Sequence, residues 1–217
     1  MNATIMLIYE VDDHGIGDIV KVYNATGFND ALNLLKKKVL RVKPNYVVTP
    51  EFLFNIEDII SNYELIRKIA GETNCDFLFT PFNTFRYDNE TRGKTWAEIE
   101  RKLSDGSILT EDVRDVKLPT NYCPQAVAFF FDKKGMIYVM PKLPQTHDRV
   151  LHIIPTNRIG VSICYELWNR AQTQKELYDI EILFHPAREA DELYAKERTC
   201  GLATGCSYDH LEDTCQS

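Results

Sequence analysis

The sequence predicts a single α/β domain with an antiparallel component, extending over residues 1–217. Short apolar segments alternate with longer segments in which apolar residues recur every three or four positions, which is typical of strands joined by crossover helices. A length of 217 residues suits one domain of this class. An apolar fraction of 44% supplies enough side chains for its core, so we exclude a disordered chain.

The first part of the chain shows a regular alternation of strands and helices. Apolar stretches at 5–9, 46–49 and 76–80 predict three strands. Between them, apolar positions with helical spacing predict two helices, within 31–42 and 56–69, which Pro44 and Gly71 end. Because strand-helix-strand units make crossover connections, we expect a sheet that is covered by helices.

The second part of the chain is less regular. Residues 86–121 are rich in charge, and we expect a surface excursion with a short helix over 96–103. This excursion is either a solvated face or a lid over the site. Segments 125–131 and 136–140 predict a hairpin, in which Gly135 takes a positive φ. The remaining predictions are strands at 159–164 and 180–184 and helices at 168–177 and 193–203.

The charge distribution argues against several classes of partner. The chain has 25 basic and 32 acidic side chains, a net charge of −7, so we expect neither nucleic acid nor an anionic membrane surface as a partner. The sequence contains no stretch of 18 consecutive apolar residues, so we expect no transmembrane helix. The first ten residues do not resemble a signal peptide, and we therefore expect a cytoplasmic protein whose six cysteines are thiols.

Three ionisable residues stand where predicted strands end. Glu51 follows the strand at 46–49, Lys142 follows the hairpin, and Cys164 ends the strand at 159–164. Side chains at the strand ends of an α/β sheet emerge into a crevice, so these positions favour chemistry. A carboxylate can take the proton of a thiol, an ammonium stabilises thiolate and oxyanion charge, and the thiolate is the nucleophile.

The motifs around these residues resemble those of the nitrilase superfamily, the carbon–nitrogen hydrolases. Residues 46–51 resemble the family's apolar strand ending in Pro-Glu, and residues 126–142 resemble its hairpin before the lysine. Gly160-Val-Ser-Ile-Cys164-Tyr-Glu resembles its nucleophile motif, and a strand ending in Pro186-Ala187 follows. The resemblance covers residues 4–205 and implies a four-layer α-β-β-α sandwich.

The resemblance implies a thiol-dependent hydrolase that cleaves a nonpeptide carbon–nitrogen bond of a small molecule through a thioester acyl-enzyme. An amide substrate is favoured over a nitrile. In this mechanism Glu51 is the base, Cys164 is the nucleophile, and Lys142 with the N–H of Tyr165 holds the oxyanion. Tyr165 and Trp168 are either substrate-binding walls of the pocket or core aromatics. The chemistry requires no metal or organic cofactor.

Departures from the family pattern support alternative functions. The segment between Lys142 and Cys164 is short and lacks the family's second glutamate, for which Asp148 is a substitute candidate. The chain also ends soon after Pro186-Ala187. The alternatives are a noncatalytic, nitrilase-like binding or scaffold protein, and an acyltransferase that uses the same three residues. A short second sheet leads us to expect a homodimer or higher oligomer.

Other cysteines and histidines suggest two further kinds of site. The spacing of Cys200, Cys206, His210 and Cys215 lacks the paired pattern of structural zinc sites, so we predict no metal, whereas a disulfide among these cysteines stays open. A dyad of Cys164 with a histidine is a further alternative, although the resemblance gives the role of base to Glu51. The histidines considered for it are His147, His152 and His185.

Overall fold

The structure is a computed structural model that describes residues 4–7, 23, 26–83, 93–105, 110–111, 118–143, 152–154, 159–163, 182–184 and 186. The helices with described bounds are α1 (Phe28–Val42), α2 (Ile56–Ser61), α3 (Tyr63–Thr73) and α4 (Trp96–Asp105). The strands are β1 (Ile5–Leu7), β2 (Tyr46–Asn55), β3 (Asp76–Phe82), β4 (Thr110–Glu111), β5 (Val127–Phe131), β6 (Ile137–Pro141), β7 (His152–Ile154), β8 (Ile159–Val161) and β9 (Ile182–Phe184).

These strands form two sheets. The larger sheet has the order β1-β2-β3-β5-β6-β4, and the smaller sheet has the order β7-β8-β9. Strands β1, β2 and β3 pair in parallel, as expected for strands joined by crossover helices, whereas β5 pairs antiparallel with both β3 and β6. The smaller sheet is also mixed, because β7 runs antiparallel and β9 parallel to β8. The predicted α/β class with an antiparallel component is therefore confirmed.

Side-chain alternation along the central strands separates two hydrophobic cores. On one face of the larger sheet, Phe77, Phe79, Phe129 and Phe131 pack with the apolar sides of the helices. On the other face, a second core joins the larger sheet to the smaller one. Its members in the larger sheet occupy the alternate positions, Leu78, Ala128, Phe130, Tyr138 and Met140 among them. The described part thus contains a helical layer, the larger sheet and the smaller sheet.

The helices form where the sequence places apolar stripes, with one difference at the second stripe. Helix α1 buries its predicted stripe as far as Val39, leaves Val42 exposed, and ends at Lys43, which has φ 54° and precedes Pro44. The second stripe is divided into α2 and α3 at Asn62, whose side-chain amide donates to the Asp58 carbonyl. Helix α3 continues past Gly71 and ends at Asn74, which has φ 51°. Because Asn tolerates this left-handed conformation, it provides the stop that we had assigned to Gly71.

The second part of the chain confirms the predicted hairpin and adds one strand that was not predicted. Gly135 has φ 97° in the turn between β5 and β6, where its N–H donates to Asp132, so the predicted turn is confirmed. Strand β7 was not predicted, because three residues are too few to show a period of two. The helices predicted at 168–177 and 193–203 lie outside the described residues. No helix in the described part is long and apolar enough to cross a bilayer.

Helix α4 belongs to the segment that we expected to be a charged excursion. Thr95 and Glu98 form a capping box, in which the Glu98 carboxylate accepts from the Thr95 N–H at 2.6 Å and the Thr95 hydroxyl accepts from the Glu98 N–H at 3.3 Å. The helix then buries Trp96, Ile99 and Leu103 in the core that lies beneath the helices. This part of the excursion is therefore a packed element, with its charged residues on the outer side.

We expect Ile99→Ala to lower the free energy of unfolding by about 3 kcal/mol, because it leaves a cavity under a fully buried side chain. Arg101→Ala, on the exposed side of the same helix, is the matched control and should change the free energy by less than about 0.5 kcal/mol. Urea denaturation followed by circular dichroism measures both values. Equal, small effects would show that α4 is not part of the cooperative core.

Candidate active site

Glu51 reaches the face between the two sheets because strand β2 contains a bulge. Val48 pairs with Leu78 and Glu51 pairs with Thr80, so three steps along β2 match two steps along β3. In a regular strand, Glu51 would share the helix-covered face with Val47. The extra residue reverses this alternation and turns Glu51 to the face of Val48. The bulge contains Pro50, a residue that strands accept at such positions because it lacks an N–H.

The side chain of Thr49 repairs the hydrogen bonding at this bulge. Its hydroxyl donates to the Leu78 carbonyl and accepts from the Thr80 N–H, both at 3.3 Å. These two main-chain groups belong to β3 and would otherwise pair with the main chain of β2. Thr49 is 1% exposed, so water cannot take over the same role. A β-branched hydroxyl residue before Pro50-Glu51 thus allows the bulge to be buried.

Lys142 follows β6 directly, and its main chain is held on both sides. Its N–H donates to the Ala126 carbonyl at 2.9 Å, and its carbonyl accepts from the Tyr122 hydroxyl at 2.6 Å. Its position continues the alternation of Tyr138 and Met140, which lie in the core between the sheets. The Lys142 side chain therefore faces the same space as Glu51.

The two side chains form a buried ion pair. Lys142 Nζ donates to Glu51 Oε1 at 2.6 Å, and both side chains are at most 3% exposed. Removing such charges from water costs several kcal/mol per ion, which the pairing offsets only when the geometry is good. Within the described part of the chain, no group hydrogen-bonds to Glu51 Oε2, although this atom is buried. One carboxylate oxygen is thus engaged by the lysine, and the other faces the site.

Small side chains form the floor of the site. Strands β3 and β5 lie between β2 and β6, so the Glu51–Lys142 contact spans them. At the corresponding positions on the inter-sheet face, β3 carries Thr80, and the β5 region carries Ala126 and Ala128, all buried. In a sheet otherwise rich in phenylalanine, these positions leave room for the two long side chains. Sequence reasoning missed them, because an alanine or threonine in a strand gives no signal of its own.

Asn83, directly after β3, hydrogen-bonds to two other segments of the chain. One segment precedes α4, and the other precedes β5. The Asn83 side-chain Nδ2 donates to the carbonyls of Lys94 at 2.7 Å and Pro124 at 2.8 Å, and its Oδ1 accepts from the Lys94 N–H at 3.0 Å. Its own N–H donates to the Gln125 carbonyl. Since Gln125 immediately precedes Ala126, this network fixes the chain that holds Lys142 in place. Sequence reasoning missed this role, because Asn83 belongs to no motif that the sequence analysis singled out.

The smaller sheet packs on the face of the larger sheet to which Glu51 and Lys142 turn. Ile163 is fully buried in the core between the sheets, and Ser162 donates its main-chain N–H to the Phe184 carbonyl at 3.0 Å. The next residue, Cys164, lies outside the described residues, as do Tyr165, Trp168 and Asp148. The structure therefore brings together two of the three predicted catalytic residues, Glu51 and Lys142.

Most of the other cysteines and histidines considered in the sequence analysis lie outside the described residues. His152 is buried on β7, whereas His147, His185 and the C-terminal residues Cys200, Cys206, His210 and Cys215 lie outside the described residues. Cys75 is a free thiol in the helix-side core. Burial and the negative charge of Asp76 raise the pKa of Cys75 to about 12, so this thiol stays protonated near neutral pH. In the described part, no cluster of three His, Cys, Asp or Glu side chains could hold a metal ion.

We expect the ion pair to show strong coupling in a double-mutant cycle. Glu51→Gln and Lys142→Met should each lower the free energy of unfolding by about 3 kcal/mol, because each leaves one buried charge without its partner. The double variant buries no charge at this position and should be more stable than either single variant. Urea denaturation measures all four proteins. Additive losses would show that the two charges do not depend on each other.

Comparison with known proteins identifies the fold. No protein-family model matches the chain, and no curated protein matches its sequence. An amidase from Nesterenkonia sp. AN1 is similar in structure, with 10% sequence identity and a TM-score of 0.51, over 90% of this chain and 71% of that one. A mutant of that amidase, with acrylamide added to its active-site cysteine, gives 9% identity and a TM-score of 0.51 over the same shares. The chain has the fold of nitrilase-type amidases, as its sequence motifs predict.

Proposed function

We propose that this chain is a thiol-dependent carbon–nitrogen hydrolase that cleaves the amide bond of a small molecule. The observation that carries the proposal is the buried ion pair of Glu51 and Lys142, on the face of the larger sheet that packs in the core containing Ile163, the residue before Cys164. A carboxylate and an ammonium in this enclosed position are suited to serve a nucleophile. The similar fold of a cysteine-dependent amidase supports an amide as the substrate.

In this proposal Glu51 is the general base. Its Oε1 is held by Lys142, so the free Oε2 is the atom available to take the thiol proton of Cys164. The thiolate then attacks the amide carbon, and a tetrahedral oxyanion forms. Glu51 returns the proton to the leaving nitrogen as the C–N bond breaks, which leaves a thioester. A water molecule that Glu51 deprotonates hydrolyses the thioester and regenerates the thiol.

Lys142 supplies positive charge where the oxyanion develops, together with the main-chain N–H of Tyr165. An ammonium held in place by hydrogen bonds to its main chain needs little reorganisation during the reaction. Removing such a donor reduces the rate by about a hundredfold or more, and we expect this loss for Lys142→Ala. Tyr165 and Trp168 are proposed as walls of the substrate pocket. The reaction as written uses no metal or organic cofactor.

The buried ion pair also bears on the noncatalytic alternative. A binding or scaffold protein gains no stability from two buried charges, because apolar side chains of similar volume stabilise such positions equally well or better. Retaining the pair, with one carboxylate oxygen open to the site, is expected of a chain that uses the charges chemically. An acyltransferase would use the same residues with an amine as acceptor, and product analysis with added amines distinguishes it from a hydrolase.

The cytoplasmic location and the oligomeric state belong to the proposal as well. We propose that the chain acts on its small-molecule substrate in the cytoplasm, without nucleic acid or membrane as a partner. We also propose that the chain forms a homodimer.

The nucleophile can be tested by substitution and alkylation. Cys164→Ala and Cys164→Ser should abolish release of ammonia from primary amides while unfolding stays cooperative, because neither change opens a large cavity. Iodoacetamide near neutral pH should modify Cys164 in the native protein, and mass spectrometry of the digested protein identifies the site.

Cys75 is the internal control for the alkylation, because its raised pKa and burial should keep it unmodified until the protein unfolds. Near-native activity in either Cys164 variant would exclude Cys164 as the nucleophile. A native protein in which neither thiol reacts, and which releases no ammonia, would favour the noncatalytic alternative.

The dimer is tested by light scattering on the full chain at micromolar concentration. We expect about twice the mass of one chain, because soluble proteins seldom expose large contiguous apolar surfaces. A monomer whose activity does not vary with protein concentration would contradict the proposed dimer and leave the proposed chemistry untouched.

A further inference from the structure

Thr80 is a buried polar residue for which the mechanism above has no use. It lies on β3 as the direct partner of Glu51 on β2, and it is 1% exposed. Its main-chain N–H donates to the Thr49 hydroxyl. In the described part of the chain, however, its side-chain Oγ1 has no hydrogen-bond partner. A buried hydroxyl without a partner costs about 1 to 3 kcal/mol, so such a position calls for a ligand or a function.

Thr80 faces the same space as the catalytic pair. Along β3, the side chains of Phe79 and Thr80 point to opposite faces of the sheet, and Phe79 packs under the helices. Thr80 points to the same face as Leu78, which packs between the sheets. Glu51 is turned to this same face by the bulge and contacts Lys142 there. Adjacent strands lie about 4.8 Å apart, so one small polar group can approach both Glu51 and Thr80.

Two oxygens at this place have no partner among the described residues, Glu51 Oε2 and Thr80 Oγ1. A carboxylate oxygen accepts hydrogen bonds, and a threonine hydroxyl accepts them as well as donating one. They are not bonded to each other, since each is left without a partner in the structure. A group with two hydrogen atoms on a single small centre, such as a water molecule or an amino group, donates to both.

The amino group of a primary carboxamide has this arrangement. We propose that Thr80 is a specificity-determining residue that accepts one N–H of a primary amide substrate while Glu51 Oε2 accepts the other. This inference rests on the proposed function and specifies its substrate class. It favours primary amides, whose nitrogen carries two hydrogens, over N-substituted amides and over esters, whose alkoxy oxygen carries none.

The contact also orients the leaving group. When the tetrahedral intermediate collapses, the C–N bond breaks, the carbonyl re-forms as a thioester, and Glu51 transfers one proton to the nitrogen, which departs as ammonia. Thr80 neither gains nor loses a proton in this step. Once the thiol proton is on Glu51 Oε2, this oxygen no longer accepts an N–H and instead donates its proton to the nitrogen lone pair, while Thr80 still accepts the other N–H and limits rotation of the nitrogen.

The test compares an amide with an ester of the same acid. The amide is the best-cleaved member of the aliphatic series from acetamide to hexanamide, and the ester is the ethyl ester of its acid. For the wild-type chain, Thr80→Val and Thr80→Ser, kcat/KM is measured for both substrates. Thr80→Val keeps the shape of the side chain and removes the hydroxyl, whereas Thr80→Ser keeps the hydroxyl.

We expect the ratio of amide to ester kcat/KM to fall about tenfold in Thr80→Val, as for the loss of one buried hydrogen bond, and to change less than about threefold in Thr80→Ser. Partial unfolding of a variant lowers the apparent kcat/KM for the amide and the ester by the same factor. It therefore leaves the ratio unchanged. Thr80→Ala provides the same comparison when Thr80→Val does not accumulate.

A binding measurement needs no turnover. In the Cys164→Ala chain, calorimetry should show about tenfold weaker binding of the same amide when Thr80→Val is added. An unchanged ratio together with unchanged binding overturns the inference, and so does an equal loss of amide and ester activity, which indicates a structural role. A wild-type chain that cleaves no amide overturns the proposed function and this inference together, whereas an active wild type with an insensitive Thr80→Val overturns the inference alone.

Discussion

The buried contact between Glu51 and Lys142 is the constraint on which the arrangement of this protein depends. Two opposite charges lie 2.6 Å apart in a space that is almost closed to water. Leaving either charge alone there is far more costly than keeping the pair, so everything that positions the two residues must act together. The bulge in β2 turns Glu51 inward, and the main chain of Lys142 is held because its N–H donates to the Ala126 carbonyl and its carbonyl accepts from the Tyr122 hydroxyl.

The two faces of the larger sheet carry side chains of different size, which leaves room for the ion pair on one of them. Its helix-covered face is filled by phenylalanines, with Phe77 and Phe79 stacked and Phe79 and Phe131 edge to face. Its inter-sheet face carries small residues near the ion pair, Ala126, Ala128 and Thr80, and larger ones such as Phe130 further along. The aromatic face supplies the packing that keeps the sheet rigid, while the opposite face leaves the volume in which two long charged side chains can meet.

The polar residues around the site fall into two groups. Thr49 and Asn83 satisfy main-chain groups where a bulge and two irregular segments interrupt regular pairing, so they hold the scaffold in place. Glu51 Oε2 and Thr80 Oγ1 differ, because nothing in the described part of the chain satisfies them. Two oxygens without partners on adjacent strands, one of them in the carboxylate that Lys142 engages, are the observation on which the proposed amide contact rests.

The sequence by itself determined the strands and helices with strong periodicity, the Gly135 turn, and the candidates Glu51, Lys142 and Cys164, because strand ends and ordered motifs are local signals. It did not reveal the division of α2 from α3, the short strand β7 or the packing of α4, which depend on contacts between distant residues. The tertiary structure alone decided which face Glu51 takes, since a one-residue bulge reverses alternation without changing composition. It also decided the position of Thr80 directly across the ladder from Glu51, because strand pairing depends on residues that are distant in the sequence.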